Sequence, residues 1–196
     1  MYANQYSLEG YYTGLAGWEF SIEGYYKQMR HILEYQDGVS FFGTSTNWEE
    51  KVEMGEGRSF GLEMMVQKTL GKTTGWLAYT LAKTDHRFKD GAISQGKWFP
   101  YKYDRRHTIS LCLNHKFSER IDVGASWIFN TGGCITVPER ETIIIRPEGN
   151  IESAPYISRR NNYRLPASHR LNLGINFNKK TKHGMRTWNI SLYNAY

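Results

Sequence analysis

The 196-residue sequence is short of apolar runs, cysteine and proline, and each shortage excludes a class of protein. Its longest aliphatic stretch is Ile143–Ile145, whereas a membrane-spanning helix needs about 20 apolar residues, so no helical span is expected. Two cysteines, Cys112 and Cys134, are too few for a disulfide framework, and their pairing is left open. Met1–Tyr6 lacks the features of a secretory signal peptide, which leaves either a cytoplasmic protein or a piece of a longer chain.

Catalytic and metal-binding motifs are missing as well. The six histidines show no close ligand spacing, so we expect no metal site. There is no nucleophile elbow and no phosphate-binding loop, so we expect neither an enzyme nor a bound cofactor. The net charge is +6, but the basic residues form short clusters between periodic segments, and nucleic acid is therefore not an expected partner.

Aromatic residues and glycines are abundant instead. The chain has 14 Tyr, 9 Phe, 6 Trp and 19 Gly, but only 5 Pro. Apolar residues recur at a spacing of two in about eight segments, as Trp18, Phe20 and Ile22 do, and this period is typical of strands. The opposite faces are polar, and the residues predicted to line an aqueous lumen are Glu19, Glu23, Lys27, Glu63, Gln67, Asp104, Arg106, Asn114, Arg170 and Asn172.

The connections between these segments alternate in length, which predicts an all-β, antiparallel up-and-down meander. Short connections fall near 13–17, 71–74, 118–120 and 178–186, and long ones near 34–56, 85–104 and 130–167. Outer-membrane barrels have this asymmetry and carry aromatic girdles at their strand ends. Several segments also exceed the five or six residues of ordinary strands. A soluble β-sandwich or lipocalin-like barrel shares the same alternation and remains an alternative.

The long connections hold the candidate ligand contacts. Aromatic and arginine side chains dominate recognition energetics, and the candidates are Trp98, Tyr101, Tyr103, Arg159, Arg160 and Tyr163. Packing of loop on loop explains the same residues equally well. Asp104 and Arg106 are interpreted as a structural charge pair rather than as a ligand clamp.

An ordered series of motifs resembles the late barrel strands of TonB-dependent outer-membrane receptors, particularly those of Bacteroidetes. Gly57–Glu63 is similar to the family's G-x-x-x-G-x-E strand opening, and Gly75–Leu81 to its GW-x-x-YT-L strand. Further similar pieces are Ala3–Leu8, Glu23–Met29, Lys97–Pro100, Tyr103–His107, Asn162–Leu171 and Asn189–Tyr196.

The resemblance implies a segment of a barrel of about 22 strands in the outer membrane of a Gram-negative cell. In such receptors a plug domain fills the lumen, and the intact protein imports a bulky nutrient such as an oligosaccharide, a peptide or a chelated metal. The implied partners are outer-membrane lipid, the plug and the remaining strands, TonB acting through the plug, and a lipoprotein lid at the cell surface.

Two departures from the family pattern shape the expected domain organisation. The plug has no counterpart in this sequence, and the chain stops at Asn194–Tyr196, where the family continues through one more strand. We therefore interpret residues 1–196 as a partial outer-membrane barrel domain, a fragment corresponding to about strands 14 to 21 of such a barrel. The alternatives are a stand-alone small outer-membrane barrel, acting as an adhesin or anchor, and a soluble carbohydrate-binding β-sheet module.

Overall fold

The chain forms thirteen strands and no α-helix in the part that the computed structural model describes, residues 1–37, 47–91, 93–145, 149 and 151–196. Two short 3-10 turns lie at Trp48–Lys51 and Ser94–Gly96. Within these residues, no helix has the length and apolar character that crossing a membrane requires. The strands are β1 Tyr2–Tyr12, β2 Trp18–Tyr35, β3 Val52–Lys68, β4 Thr73–Arg87, β5 Phe99–Pro100, β6 His107–Lys116, β7 Ile121–Asn130, β8 Cys134–Ile135, β9 Arg140–Ile145, β10 Ile151–Tyr156, β11 Tyr163–Arg164, β12 Ser168–Thr181 and β13 Gly184–Leu192.

Eight long strands pair in chain order to make one open antiparallel sheet. The order is β1-β2-β3-β4-β6-β7-β12-β13, and the short β5 attaches to the end of β4. Two separate hairpin-like pairs, β9 with β10 and β8 with β11, lie between β7 and β12. The predicted all-β meander of about eight strands is confirmed.

The pairing register sorts the side chains onto two faces. Because directly paired residues project from the same side of a sheet, one face carries a continuous apolar row across neighbouring strands: Phe20, Val66, Leu77, Leu111, Trp127 and Leu171. The row beside it lies on the other side: Glu19, Gln67, Trp76, Cys112, Ser126 and Asn172. We call these two sides the apolar face and the polar face.

In the part of the chain that the structure describes, no second sheet covers the apolar face. Among the described residues, the buried hydrophobic side chains are Ile32, Phe88, Ile93, Phe99 and Cys134. Ile32 lies near the end of β2, and the other four lie in the connections or in the short strands β5 and β8. On the apolar face itself, Ile22 remains 48% exposed and Ile190 64% exposed. The eight long strands therefore form one open sheet, and not one half of two sheets packed face to face.

Aromatic side chains border the apolar face at both strand ends. Trp18 stacks on Phe20 with ring centroids 6.1 Å apart near the short turns. Towards the long connections, Tyr26 pairs with Phe60 in the row that follows Gly24 and Leu62. Aromatic residues at both ends of an apolar strand segment are typical of the interfaces of a membrane barrel.

The sequence-based boundaries differ from the structure at four connections. In the first, β2 ends at Tyr35 and β3 begins at Val52, both inside the predicted loop 34–56. Strand β4 extends to Arg87 and thus into the predicted loop 85–104. In the predicted short connection 178–186, β12 continues to Thr181 and β13 begins at Gly184, so only a tight turn separates them. The predicted loop 130–167 contains β8 to β11. Hairpin ends that extend into water carry polar residues on both faces, so the period of two is lost there although the strand continues. Part of the predicted loop 34–56, residues 38–46, lies outside the described residues.

Candidate functional site

The long connections meet at one end of the sheet around a small apolar core. Ile32, Phe88, Ile93 and Phe99 are buried together, and Met29 packs against them. Ile32 and Met29 come from β2 and the other three residues from the connection between β4 and β6, so the core joins β2 to a connection that is far from it in sequence. The loop end of the sheet is therefore packed rather than open.

A β-bulge and a glycine make room for this core. The register of β2 against β3 shifts between Arg30 and Ile32, and the bulged His31 has a φ of 54°. A bulge re-aims the residues that follow it, and here it places Ile32 opposite Gly55. A Cβ atom at Gly55 would lie 2.5 Å from the ring of Phe88, so only glycine allows this ring to pack against β3.

Asp104 is the centre of a buried ion cluster. Its side chain is 1% exposed and accepts a hydrogen bond of 2.7 Å from the Thr84 backbone N–H. Arg106 lies 3.3 Å away and Arg164 2.5 Å away from the same carboxylate oxygen. Arg164 also donates to the Gly132 carbonyl at 2.8 Å. The predicted contact between Asp104 and Arg106 is present, but no local spacing links these two residues to Arg164, which joins from 60 residues away.

Arg160 ties three connections together. Its guanidinium donates to the Asp37 carboxylate at 2.9 Å and to the Tyr35 carbonyl at 2.8 Å. Its backbone N–H donates to the Ser94 hydroxyl at 2.8 Å, and the Ser94 N–H donates in turn to Asp37. The side chain of Arg160 is only 17% exposed, whereas neighbouring Arg159 is exposed. Both arginines line a cavity of about 470 Å³.

Replacing Arg160 with alanine is expected to loosen these three connections from one another. Hydrogen bonds to charged groups contribute about 1.5–3 kcal/mol each, and we expect a net loss near 2 kcal/mol because Asp37 is 47% exposed and can be rehydrated. Chymotrypsin cleavage at Tyr156 and Tyr163 should accelerate roughly thirtyfold as local opening becomes more frequent. Arg159→Ala is the matched control and should leave the rate unchanged; equal acceleration in both variants would contradict this role for Arg160.

Side chains also brace the connection between β7 and β12. Asn162 pairs with the Val137 backbone in both directions, accepting from its N–H and donating to its carbonyl at 2.9 Å each. It also donates to Glu139 at 2.7 Å. The hydrogen bond from the Ser158 hydroxyl stabilises the Glu139 carboxylate and is the main reason that the pKa of this group is below its usual value. The hydrogen bond from Asn162 lowers the pKa further. The connection is thus held by its own hydrogen bonds.

The candidate aromatic contacts fall on two sides of the sheet. Tyr101 stacks on His86 with centroids 4.5 Å apart and meets Tyr103, which is 65% exposed, edge to face. Trp98 instead lies against the guanidinium groups of Arg58 and Arg87, which belong to the apolar-face rows of β3 and β4.

The six candidates therefore do not converge on one site. Tyr101 and Tyr103 form one pair, and Arg159 and Arg160 share the cavity beside Ser94. Tyr163 is half-exposed and pairs with Ile135 between β11 and β8. Direct ligand contact by any of them remains a prediction.

The predicted lumen residues share the polar face wherever they lie within paired strands. The register brings Glu9, Glu23 and Glu63 side by side, so three carboxylates occupy adjacent strands. Further along, the Asp122 carboxylate accepts from Asn176 at 2.7 Å, and Asn176 accepts from Asn189. The other predicted residues that the pairing places on this face are Glu19, Lys27, Gln67, Asn114, Arg170 and Asn172.

The described residues bring no group of metal ligands together, and the two cysteines are not joined. Among the described residues, no group of three His, Cys, Asp or Glu side chains could hold a metal ion. Cys112 and Cys134 are both free thiols. Burial raises the pKa of the Cys134 thiol, which therefore remains protonated at neutral pH.

Comparison with known proteins gives a fold similarity without a sequence match. No protein-family model matches the chain, and no curated protein sequence does either. The chain is similar to the ferripyoverdine receptor of the outer membrane of Pseudomonas aeruginosa, solved with ferripyoverdine bound, at 14% sequence identity and a TM-score of 0.62. The superposition covers 98% of this chain and 23% of the receptor, so the chain spans about a quarter of that receptor's length. At this identity the likeness establishes a shared fold.

Proposed function

We propose that the chain forms eight consecutive strands in the wall of a large outer-membrane barrel receptor of the TonB-dependent kind. In the intact protein this wall encloses a lumen through which a bulky nutrient is imported. The observation that carries the proposal is the uncovered apolar face, which runs unbroken across neighbouring strands and is bordered by aromatic residues at both ends. Lipid chains are the environment that such a face requires.

The two edges of the sheet support a larger barrel over a stand-alone one. In the described sheet, β1 pairs only with β2, and β13 pairs only with β12. Unpaired backbone N–H and C=O groups are not tolerated in hydrocarbon, so both edges must meet further strands. An eight-stranded barrel would pair β1 with β13 instead. The fold likeness to about a quarter of a known receptor supports the same reading.

The polar face supports an enclosed aqueous space with a protein occupant. Like charges directly opposite one another destabilise a sheet, yet Glu9, Glu23 and Glu63 lie in one row. A plug domain that presents basic side chains to this row would offset the repulsion. We further propose that TonB acts through this plug, that the receptor is of the Bacteroidetes type, and that a surface lipoprotein covers the loop end.

Two features of the loop end support a choice of nutrient class. Tyr101 and Tyr103 present aromatic surface, and the cavity beside Arg160 presents positive charge. Aromatic faces suit oligosaccharides and peptides, and arginines suit the carboxylates of peptides or chelators. We propose these classes as substrates of the intact receptor and assign no enzymatic activity to the chain.

Thiol labelling in the membrane tests the assignment of the two faces. Cys112 lies on the polar face and its paired neighbours Trp76 and Ser126 share that side. In outer-membrane fractions, a charged, membrane-impermeant thiosulfonate should modify Cys112 in the wild-type chain. The variant Cys112→Ser with Leu111→Cys moves the thiol to the apolar face, where the same reagent should react at least tenfold more slowly because lipid excludes charge.

Each alternative function predicts a different outcome in fractionation, labelling or gel mobility. A soluble carbohydrate-binding module would be absent from the membrane fraction, and both thiols would react at similar rates in the cytosolic fraction. A stand-alone small barrel would appear as a closed, heat-modifiable monomer of the 196-residue chain. Rapid modification at position 111 in the membrane fraction would contradict the proposed face assignment.

A further inference from the structure

The apolar face ends abruptly in positive charge at the loop end of β2, β3 and β4. The register row Gly24, Leu62 and Leu81 is apolar, and the next row on this face is Tyr26, Phe60 and Lys83. The two rows beyond it contain Arg58 opposite Asp85, and Arg30 and Arg87 on either side of Glu56. Within a few residues, the surface therefore changes from aliphatic to aromatic to charged.

Cations outnumber carboxylates in these charged rows. Asp85 is shared by Arg58 at 3.2 Å and Lys83 at 3.3 Å. Glu56 is likewise shared by Arg87 and by Lys89, whose Nζ lies 3.5 Å away. We call Arg30, Arg58, Lys83, Arg87 and Lys89 the cationic cluster. Because each carboxylate neutralises one of its two partners, the cluster retains positive charge.

Trp98 holds two members of the cationic cluster in place. The guanidinium carbons of Arg58 and Arg87 lie 4.3 Å and 4.7 Å from the centroid of its ring. Cation–π contacts of this length are favourable, and they fix both groups at the same level of the sheet. The Lys89 side chain, at 66% exposed, extends beyond them and is free to approach a ligand.

An apolar groove adjoins the cationic cluster on the same face. A cavity of about 700 Å³ lies over two of these rows. One row consists of Gly24, Leu62 and Leu81, and the other of Tyr26, Phe60 and Lys83. Gly24 opens this groove, since a Cβ atom there would meet nothing within 4 Å. A groove lined by aliphatic and aromatic side chains, with cations at one end, complements a molecule with an apolar tail and an anionic head.

We propose that this surface binds a lipid with an anionic headgroup, in the leaflet on the loop side of the membrane. The acyl chain lies in the groove over Gly24, and the headgroup is bound by Lys83, Lys89 and the arginines that Trp98 positions. The proposal rests on the proposed function in one respect, namely that the apolar face contacts lipid. Basic residues near a membrane surface each contribute about 1 kcal/mol to anionic lipid binding.

A lipid titration tests the site. The protein is extracted from outer membranes in mild detergent, together with the further strands that complete its barrel. We expect dioleoylphosphatidylglycerol to bind and to be retained in native mass spectra, and dioleoylphosphatidylcholine, with the same chains, to bind far more weakly. The double variant Lys83→Gln with Lys89→Gln should weaken phosphatidylglycerol binding roughly thirtyfold. Inorganic phosphate should not displace the lipid, because it lacks the chain that fills the groove.

Matched variants separate this site from general electrostatics. Lys27→Gln removes a cation from the polar face at nearly the same level of the sheet and should leave lipid binding unchanged. Gly24→Leu should fill the groove and abolish retention, whereas Gly10→Leu, on the same face but outside the groove, should not. Equal binding of the two lipids, or equal losses in Lys27→Gln and the double variant, would overturn the lipid site alone. Recovery of the protein only in soluble fractions would contradict the proposed function and this site with it.

Discussion

Replacing Asp104 with asparagine is expected to detach the connection between β7 and β12 from the sheet. The carboxylate is 1% exposed and binds Arg106, Arg164 and the Thr84 N–H together. Asparagine keeps the size but loses the charge, so two guanidinium groups remain near a neutral side chain. Breaking a buried ion pair costs about 3–5 kcal/mol. We expect about 3 kcal/mol, because both arginines are roughly one-third exposed and can be partly rehydrated.

Limited proteolysis of the membrane-inserted protein measures this loss directly. A change of about 3 kcal/mol corresponds to more than a hundredfold faster chymotrypsin cleavage at Tyr156 and Tyr163 if opening is fast relative to cleavage. Asp90→Asn is the matched control, since Asp90 is an exposed carboxylate in the connection between β4 and β6. An Asp104→Asn protein that is cleaved at the wild-type rate would show that the ion cluster does not hold the connection.

The sequence predicts the sheet well because every strand in it repeats one simple constraint. A strand with one apolar side must alternate, so the sequence alone assigns Phe20, Leu62 and Leu111 to one face. Antiparallel order followed from the short turns, since they leave neighbouring strands no other way to pair. These inferences use only residues a few positions apart.

The loop end could not be predicted because its contacts join distant parts of the chain. Arg160 meets Asp37 across 123 residues, and no local pattern marks either residue as a partner. The sequence also does not predict on which face of the sheet Trp98 lies. This depends on β5 pairing with the end of β4, and a strand of two residues is too short to show a period. Its place in a long connection makes Trp98 a candidate for ligand contact or for loop packing, and in the structure it packs among arginines of the apolar-face rows.

Gly75 occupies the most constrained glycine position within the sheet, and Gly75→Ala is expected to impair folding. Its φ is +151°, a backbone conformation that side chains with a Cβ rarely adopt. A Cβ atom would lie 2.1 Å from the Cys112 carbonyl oxygen and 2.9 Å from the Leu113 Cα. Both contacts are with the backbone of the paired strand β6, so no side-chain rotation relieves them. We expect a cost of at least about 3 kcal/mol.

The stability of this variant is measured by urea unfolding of the protein from the outer membrane. With a urea m-value of about 2 kcal/mol/M, such a cost lowers the unfolding midpoint by more than about 1 M. The folded band on unheated gels should weaken in proportion. Gly124→Ala is the matched control on β7, since its nearest neighbour is the Asn114 side chain at 3.3 Å, which has room to turn aside. If both variants unfold at the wild-type midpoint, β4 and β6 are not in contact at Gly75, and the strand register on which both faces depend is wrong at this point.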